Sequence, residues 1–272
     1  MLLSFSNIGW NSDEEDDLAR FLSGQGIARI DIAPGRYFTD PEQASASDVA
    51  SVKALWRNRG FTIQGMQALL FGTVGLNLFD DAEGVMFRRL AAVCRIGGGL
   101  GARALTFGSP RQRDRGDRTY DEAAEIAVAF FRRLGDVAAA EGVIICLEPN
   151  PSIYGCNFML STDEAAAMVD GTDHAAIRLQ LDVGALAVNG EEAEDVIGRH
   201  ASLIGHVHAS EPHLVVLGDG GAPHGPAAAA IRRYRPELVV TVETAASANE
   251  PHRDAVARSL GVAKRFYGSP TE

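Results

Sequence analysis

The chain has 272 residues, 46% of them apolar, and 25 basic against 36 acidic side chains give a formal charge of −11. That composition fits a globular protein with a full core, and an acidic global field opposes nucleic acid as a partner. No run of about 18 apolar residues is present to span a membrane, the first residues carry no basic leader, and Cys94, Cys146 and Cys156 show no CxxC spacing, so the expectation is a cytoplasmic protein without disulfides.

Apolar runs near residues 2–6, 27–32, 61–66, 103–107, 143–148, 177–182, 203–208 and 238–243 read as eight strands. They are near-continuous rather than alternating, as in a parallel sheet covered on both faces. Helical spacing follows each run, over 13–24, 47–59, 82–97, 119–141, 161–170, 191–199, 225–233 and 250–266. Ser12, Thr119 and Ser161 precede early acidic residues as N-caps, and Gly60, Gly142 and Gly171 mark helix ends. Eight such units of about 34 residues predict one α/β domain over residues 1–272, a (β/α)₈ TIM barrel. An open doubly wound sheet is the rival topology, but it places its ligand at one switch point.

Four of the runs end on Glu148, Asp182, His208 and Glu243. Parallel strands bring their C-terminal ends to one face, so the four residues are expected to converge. Acids at strand ends also cap following helices, which is the alternative reading for any one of them. As a set, two Glu, one Asp and one His make an oxygen-rich site for a divalent ion, Mn²⁺ foremost, with Mg²⁺ or Co²⁺ as alternatives. In His206-Val207-His208 both imidazoles fall on the same side of a strand, with His208 read as the ligand and His206 as a substrate contact or supporting group. Asp31 ends the second run and either faces the pocket or caps a loop. Arg36 follows as a candidate for a carboxylate or phosphate. The mixed charges of 111–118 read as a solvated loop or as an anion-binding lid.

Leu147-Glu148-Pro149-Asn150-Pro151, Leu181-Asp182-Val183-Gly184, Gly205-His206-Val207-His208-Ala209-Ser210-Glu211-Pro212 and Val242-Glu243-Thr244 are similar to the sugar phosphate isomerase/epimerase group of xylose isomerase-like TIM barrels. That group includes ketose 3-epimerases, inosose dehydratase and hydroxypyruvate isomerase. The resemblance extends to Met66-Gln67-Ala68-Leu69-Leu70-Phe71-Gly72 and Phe107-Gly108-Ser109-Pro110-Arg111. It implies one divalent ion held by Glu148, Asp182, His208 and Glu243, chelating a hydroxyl and a carbonyl of a sugar, with Glu148 and Glu243 as the proton-transfer pair. It also implies a homodimer or homotetramer.

The chain departs from the epimerase pattern at three positions that grip the reacting end of the sugar. Ala185 stands for a His, Leu214 for an Arg and Tyr154 for a Glu. Gln67 and Tyr154 are the candidate replacement contacts. The expectation is therefore an isomerase or epimerase of a keto-sugar working through a metal-stabilised enediolate. A lyase or dehydratase on a keto-sugar or cyclitol stands second, ahead of an endonuclease IV-type nuclease or a non-catalytic sugar-binding barrel.

Overall fold

The computed structural model describes residues 1–268. Eight parallel strands close into a ring in chain order: β1 Leu3–Ser6, β2 Arg29–Ile32, β3 Thr62–Met66, β4 Ala104–Phe107, β5 Ile144–Leu147, β6 Ile177–Asp182, β7 Ile204–Ala209 and β8 Val240–Val242. β8 closes onto β1 through Leu3 opposite Val240 and Phe5 opposite Val242. Around the ring lie α1 Glu15–Gly24, α2 Ala46–Asn58, α3 Val85–Leu100, α4 Tyr120–Ala140, α5 Thr162–Thr172, α6 Val183–Asn189, α7 Ala193–His200, α8 His224–Tyr234 and α9 His252–Tyr267. The parallel barrel expected from the run-and-helix pattern is the observed fold.

The helices start and stop for local reasons. Thr119 caps α4 through a capping box with Glu122, and the Ser161 hydroxyl accepts from the Glu164 amide at the start of α5. Gly60 and Gly142 take φ of 90° and 71° just past α2 and α4, a backbone state open to glycine at little cost. Gly171 lies inside α5, against expectation, and the left-handed residue there is Asp173 at φ 48°. The short helix α6 is unexpected. It follows β6 with no linker because the Asp182 carboxylate accepts from the Ala185 amide at 2.6 Å, so a predicted strand-end ligand also caps a helix.

Alternation along the strands sends one set of side chains outward to the helices and the other into the lumen. The outward set packs Leu105, Ile145, Leu147, Leu179, Leu181 and Val207 against the helices in one apolar core. The lumen is polar at mid-height. Ser4, Asp31, Thr106, Gln180, His206 and Thr241 are all buried and bond to one another, between neighbouring strands or across the lumen. Thr106 Oγ1 donates to Gln180 Oε1 at 3.2 Å and Ser4 Oγ to Asp31 Oδ1 at 3.1 Å. Barrels of this kind usually fill that layer with branched aliphatics. Here it forms a hydrogen-bonded support beneath the C-terminal mouth.

Candidate metal centre

Glu148 just past β5, Asp182 at the end of β6, His208 on β7 and Glu243 just past β8 meet at that mouth, each offering a ligand atom within 4.8 Å of the others. That spacing suits donors that share one ion at roughly 2.0–2.3 Å each. His208 is fully buried, and neither ring nitrogen has a hydrogen-bond partner. Its Nδ1 lies 3.1 Å from Glu243 Oε2 and 3.6 Å from Glu148 Oε1. A buried imidazole without a hydrogen bond is costly, and a cation among these groups would satisfy it. Burial, and the neighbouring Glu148 and Glu243 carboxylates, push Asp182 up to about 7. Three carboxylates thus converge with only the His208 ring to balance them, and the donor set fits a divalent ion.

Each of the three carboxylates is held by a second group. Ser210 Oγ donates to Asp182 Oδ2 at 2.6 Å, Gln67 Nε2 to Glu243 Oε1 at 2.7 Å and Asn150 Nδ2 to Glu148 Oε2 at 3.2 Å. Such partners orient ligands and tune their basicity. The peptide of Glu148 is fixed from behind by Arg113, which is fully buried and donates to the Glu148 carbonyl at 2.7 Å.

Beneath the ligands, His206 Nε2 bonds Asp31 Oδ2 at 2.7 Å, and His208 Nε2 stands 3.8 Å from the same oxygen. Burial raises the Asp31 pKa, but His206 and His208 outweigh it and hold the carboxyl well below the usual range. Asp31, His206 and His208 thus form a second cluster of ligating groups that shares His208 with the first. Asp31 lies in the lumen and caps no loop.

A cleft of about 290 Å³ opens above the carboxylates, lined by Tyr154, Ala185, Leu214, Pro110 and Glu211 as well as Glu148, Asp182 and Glu243. The three positions that depart from the epimerase pattern all face it. The Tyr154 hydroxyl accepts from the His213 amide at 2.9 Å. Three expected contacts do not line it, and of these Gln67 is buried behind Glu243. Arg36 donates to the Trp10 carbonyl at 2.6 Å and does not line the cleft, and His206 sits one layer below it. The 111–118 segment is exposed at Arg111, Asp114, Gly116 and Asp117 and anchored through its other arginines. Arg113 is buried, Arg115 bonds the Asn157 carbonyl at 3.1 Å and Arg118 pairs with Asp80 at 2.6 Å.

Several contributors carry weak sequence signals. Glu211 accepts from the Gly218 and Ala222 amides and from His224 Nε2, which shapes the loop beside the cleft. Gly108 makes room for Glu148, since a Cβ there would lie 2.2 Å from Oε2. Five of the six non-glycine residues at positive φ, Ala68, Ser109, Met159, His213 and Leu214, fall in loops that follow strands at this mouth, where backbone strain tends to mark function.

Fold and site together define a parallel (β/α)₈ barrel with a histidine–carboxylate cluster at its C-terminal mouth. The family model described as xylose isomerase-like TIM barrel matches residues 23–265, and the chain belongs to that family. It is 28% identical over 96 residues to an inosose dehydratase of Geobacillus thermodenitrificans (strain NG80-2), a match covering 35% of this chain and 31% of that protein's length. D-psicose 3-epimerase from Clostridium cellulolyticum H10 superposes with a TM-score of 0.80 at 17% identity, over 99% of this chain and all of that one. The IOLI protein with a bound zinc atom superposes with a TM-score of 0.75 at 15% identity, over 98% of both chains.

Proposed function

We propose that this protein is a divalent-metal-dependent isomerase or epimerase of a keto-sugar, moving a proton at the carbon beside a carbonyl. The observation that carries the reading is the meeting of two supported glutamates, Glu148 and Glu243, with Asp182 and His208 at one cleft floor. A divalent ion held by these four residues supplies fixed positive charge next to the carbonyl oxygen, which makes the adjoining C–H more acidic. Mn²⁺ is the ion we favour, with Mg²⁺ and Co²⁺ next.

Glu148 and Glu243 stand on strands separated by β6 and β7, so they approach a bound sugar from two sides. One carboxylate removes the proton and the other delivers one, and the bound stereoisomer decides which does which. Gln67 holds Glu243 in place, and its own Oε1, buried and unpartnered, accepts from a sugar hydroxyl. Tyr154 supplies a neutral donor where the epimerases carry a carboxylate. Leu214 and Ala185 give the cleft an apolar wall.

That wall favours one second reading, a lyase. Elimination from a keto-sugar or cyclitol begins with the same proton abstraction, and the other glutamate then protonates a hydroxyl or alkoxyl group that leaves as water or alcohol, so no charged grip is needed to hold the product for reprotonation at carbon. The inosose dehydratase match agrees with it.

The test is to purify the protein without chelator, measure bound metal, and incubate it with keto-sugars and cyclitols in D₂O. About one metal equivalent and deuterium in a C–H bond are expected, both lost in Glu148→Gln. Metal with an unsaturated product and no exchange selects the lyase. Metal content and turnover unchanged in Glu148→Gln and Glu243→Gln would sink both readings.

A further inference from the structure

The opposite end of the barrel holds a cavity of about 410 Å³ that the proposed reaction does not use. Arg103 just before β4, Arg178 on β6 and Arg235 beyond α8 line it, together with Gln64, Glu237 and His206. Each guanidinium offers five N–H donors, and few of these are engaged. Arg235 donates to the Ala201 and Ile204 carbonyls and to Glu237 Oε1, the last at 2.6 Å. Arg178 donates to the Ser202 carbonyl. Arg103 makes no side-chain hydrogen bond or ion pair among the described residues.

Three guanidinium groups thus face one carboxylate, in a chain whose overall charge is −11. The arrangement is built into the barrel. Arg178 alternates with Gln180 and Asp182 on β6, so its side chain enters the lumen. Gly205 on the neighbouring strand gives it room, because a Cβ there would stand 2.6 Å from Arg178 Cβ and 2.9 Å from Ile144 Cδ1. Gln180 Nε2, in the layer above, is a buried donor with no partner. Burial first, and then the nearby Arg235, lower the Arg178 pKa.

We propose that this cavity binds a small oxyanion, a phosphate group either free or carried on a metabolite. Guanidinium forks match phosphate geometry. The acid-lined cleft at the other mouth repels such a ligand, so the two sites do not compete in metal-free protein.

The test is calorimetric and ³¹P NMR titration of chelator-treated protein with inorganic phosphate, pyrophosphate and a hexose phosphate at fixed ionic strength. Saturable binding of one equivalent is expected, weakened roughly tenfold in Arg103→Ala. Arg103 is exposed, so that change spares the core. Glu237→Gln removes the competing carboxylate and is expected to tighten binding, a gain that damage to the fold does not produce. Tighter binding of the hexose phosphate identifies a metabolite-borne group, and equal binding identifies free phosphate. Non-saturable binding, or binding that neither variant moves, overturns the proposal.

Discussion

Asp182 and His208 hold protons in the folded, metal-free protein that the unfolded chain releases. For Asp182 the causes are burial and two neighbouring carboxylates. For His208, burial opposes the charged form, but Glu243, Asp31 and Glu148 outweigh it and raise the pKa. Where the native state binds more protons, stability falls as pH rises. The Asp182 contribution is complete below the unfolded value of 3.8 and is lost as pH rises through about 7. Asp31 works the other way, because its depressed pKa adds stability above 3.8 that is lost in acid. The stability that Asp182 lends the metal-free protein is therefore expected to fall from about pH 4 toward neutrality, read as the melting-temperature difference between the protein and Asp182→Asn. Saturating Mn²⁺ should flatten that fall, since it binds the deprotonated ligands. Differential scanning fluorimetry across pH checks this, and a metal-free difference that stays flat from about pH 4 to 7 would contradict it. Gly108→Ala tests the crowding at Glu148, where the new Cβ would lie 2.2 Å from Oε2. Metal affinity should drop about tenfold or more while the metal-free melting temperature changes little.

The loop between β4 and α4 shows what sequence patterns conceal. Arg113 sits in a run of mixed charges that reads as solvated, yet its guanidinium lies behind the Glu148 peptide and beside Cys156 Sγ at 3.2 Å. Arg113→Met keeps the volume but leaves the Glu148 carbonyl unpaired, at a cost of about 1–3 kcal/mol. Chemical denaturation should read that loss, and metal affinity should fall with it. The strands were legible because apolar runs bounded by glycine and acidic residues recur with a regular period. The four converging side chains were legible because parallel strands end on one face. Other features depend on three-dimensional partners that no linear spacing encodes. α6 begins only because the Asp182 carboxylate reaches the Ala185 amide. Arg36 points to the Trp10 carbonyl rather than the cleft. Gln180 and Thr106, unremarkable within apolar strands, find each other across the lumen.

At the scale of the whole barrel, all four candidate ligands come from β5 through β8, while the first half contributes supporting groups such as Gln67 and Asp31. An ion at that cluster would tie the second half of the ring together at its open end. At a free ion concentration 100 times its Kd, linkage gives about 2.7 kcal/mol. For a chain of this size that corresponds to a rise of roughly 5–10 °C in melting temperature. Chelator should reverse the rise, and Asp182→Asn should abolish it.

The three free thiols make the barrel a timer of its own opening. All are buried, and burial pushes Cys94 and Cys146 up to about 12, so an alkylating reagent meets no exposed sulfur while the ring stays closed. Labelling should therefore proceed at the rate of spontaneous opening, slow with metal bound and faster after chelation. Each adduct adds one fixed mass increment. Peptide mapping of the first to appear would show whether α3 with Cys94, β5 with Cys146 or the following loop with Cys156 parts first.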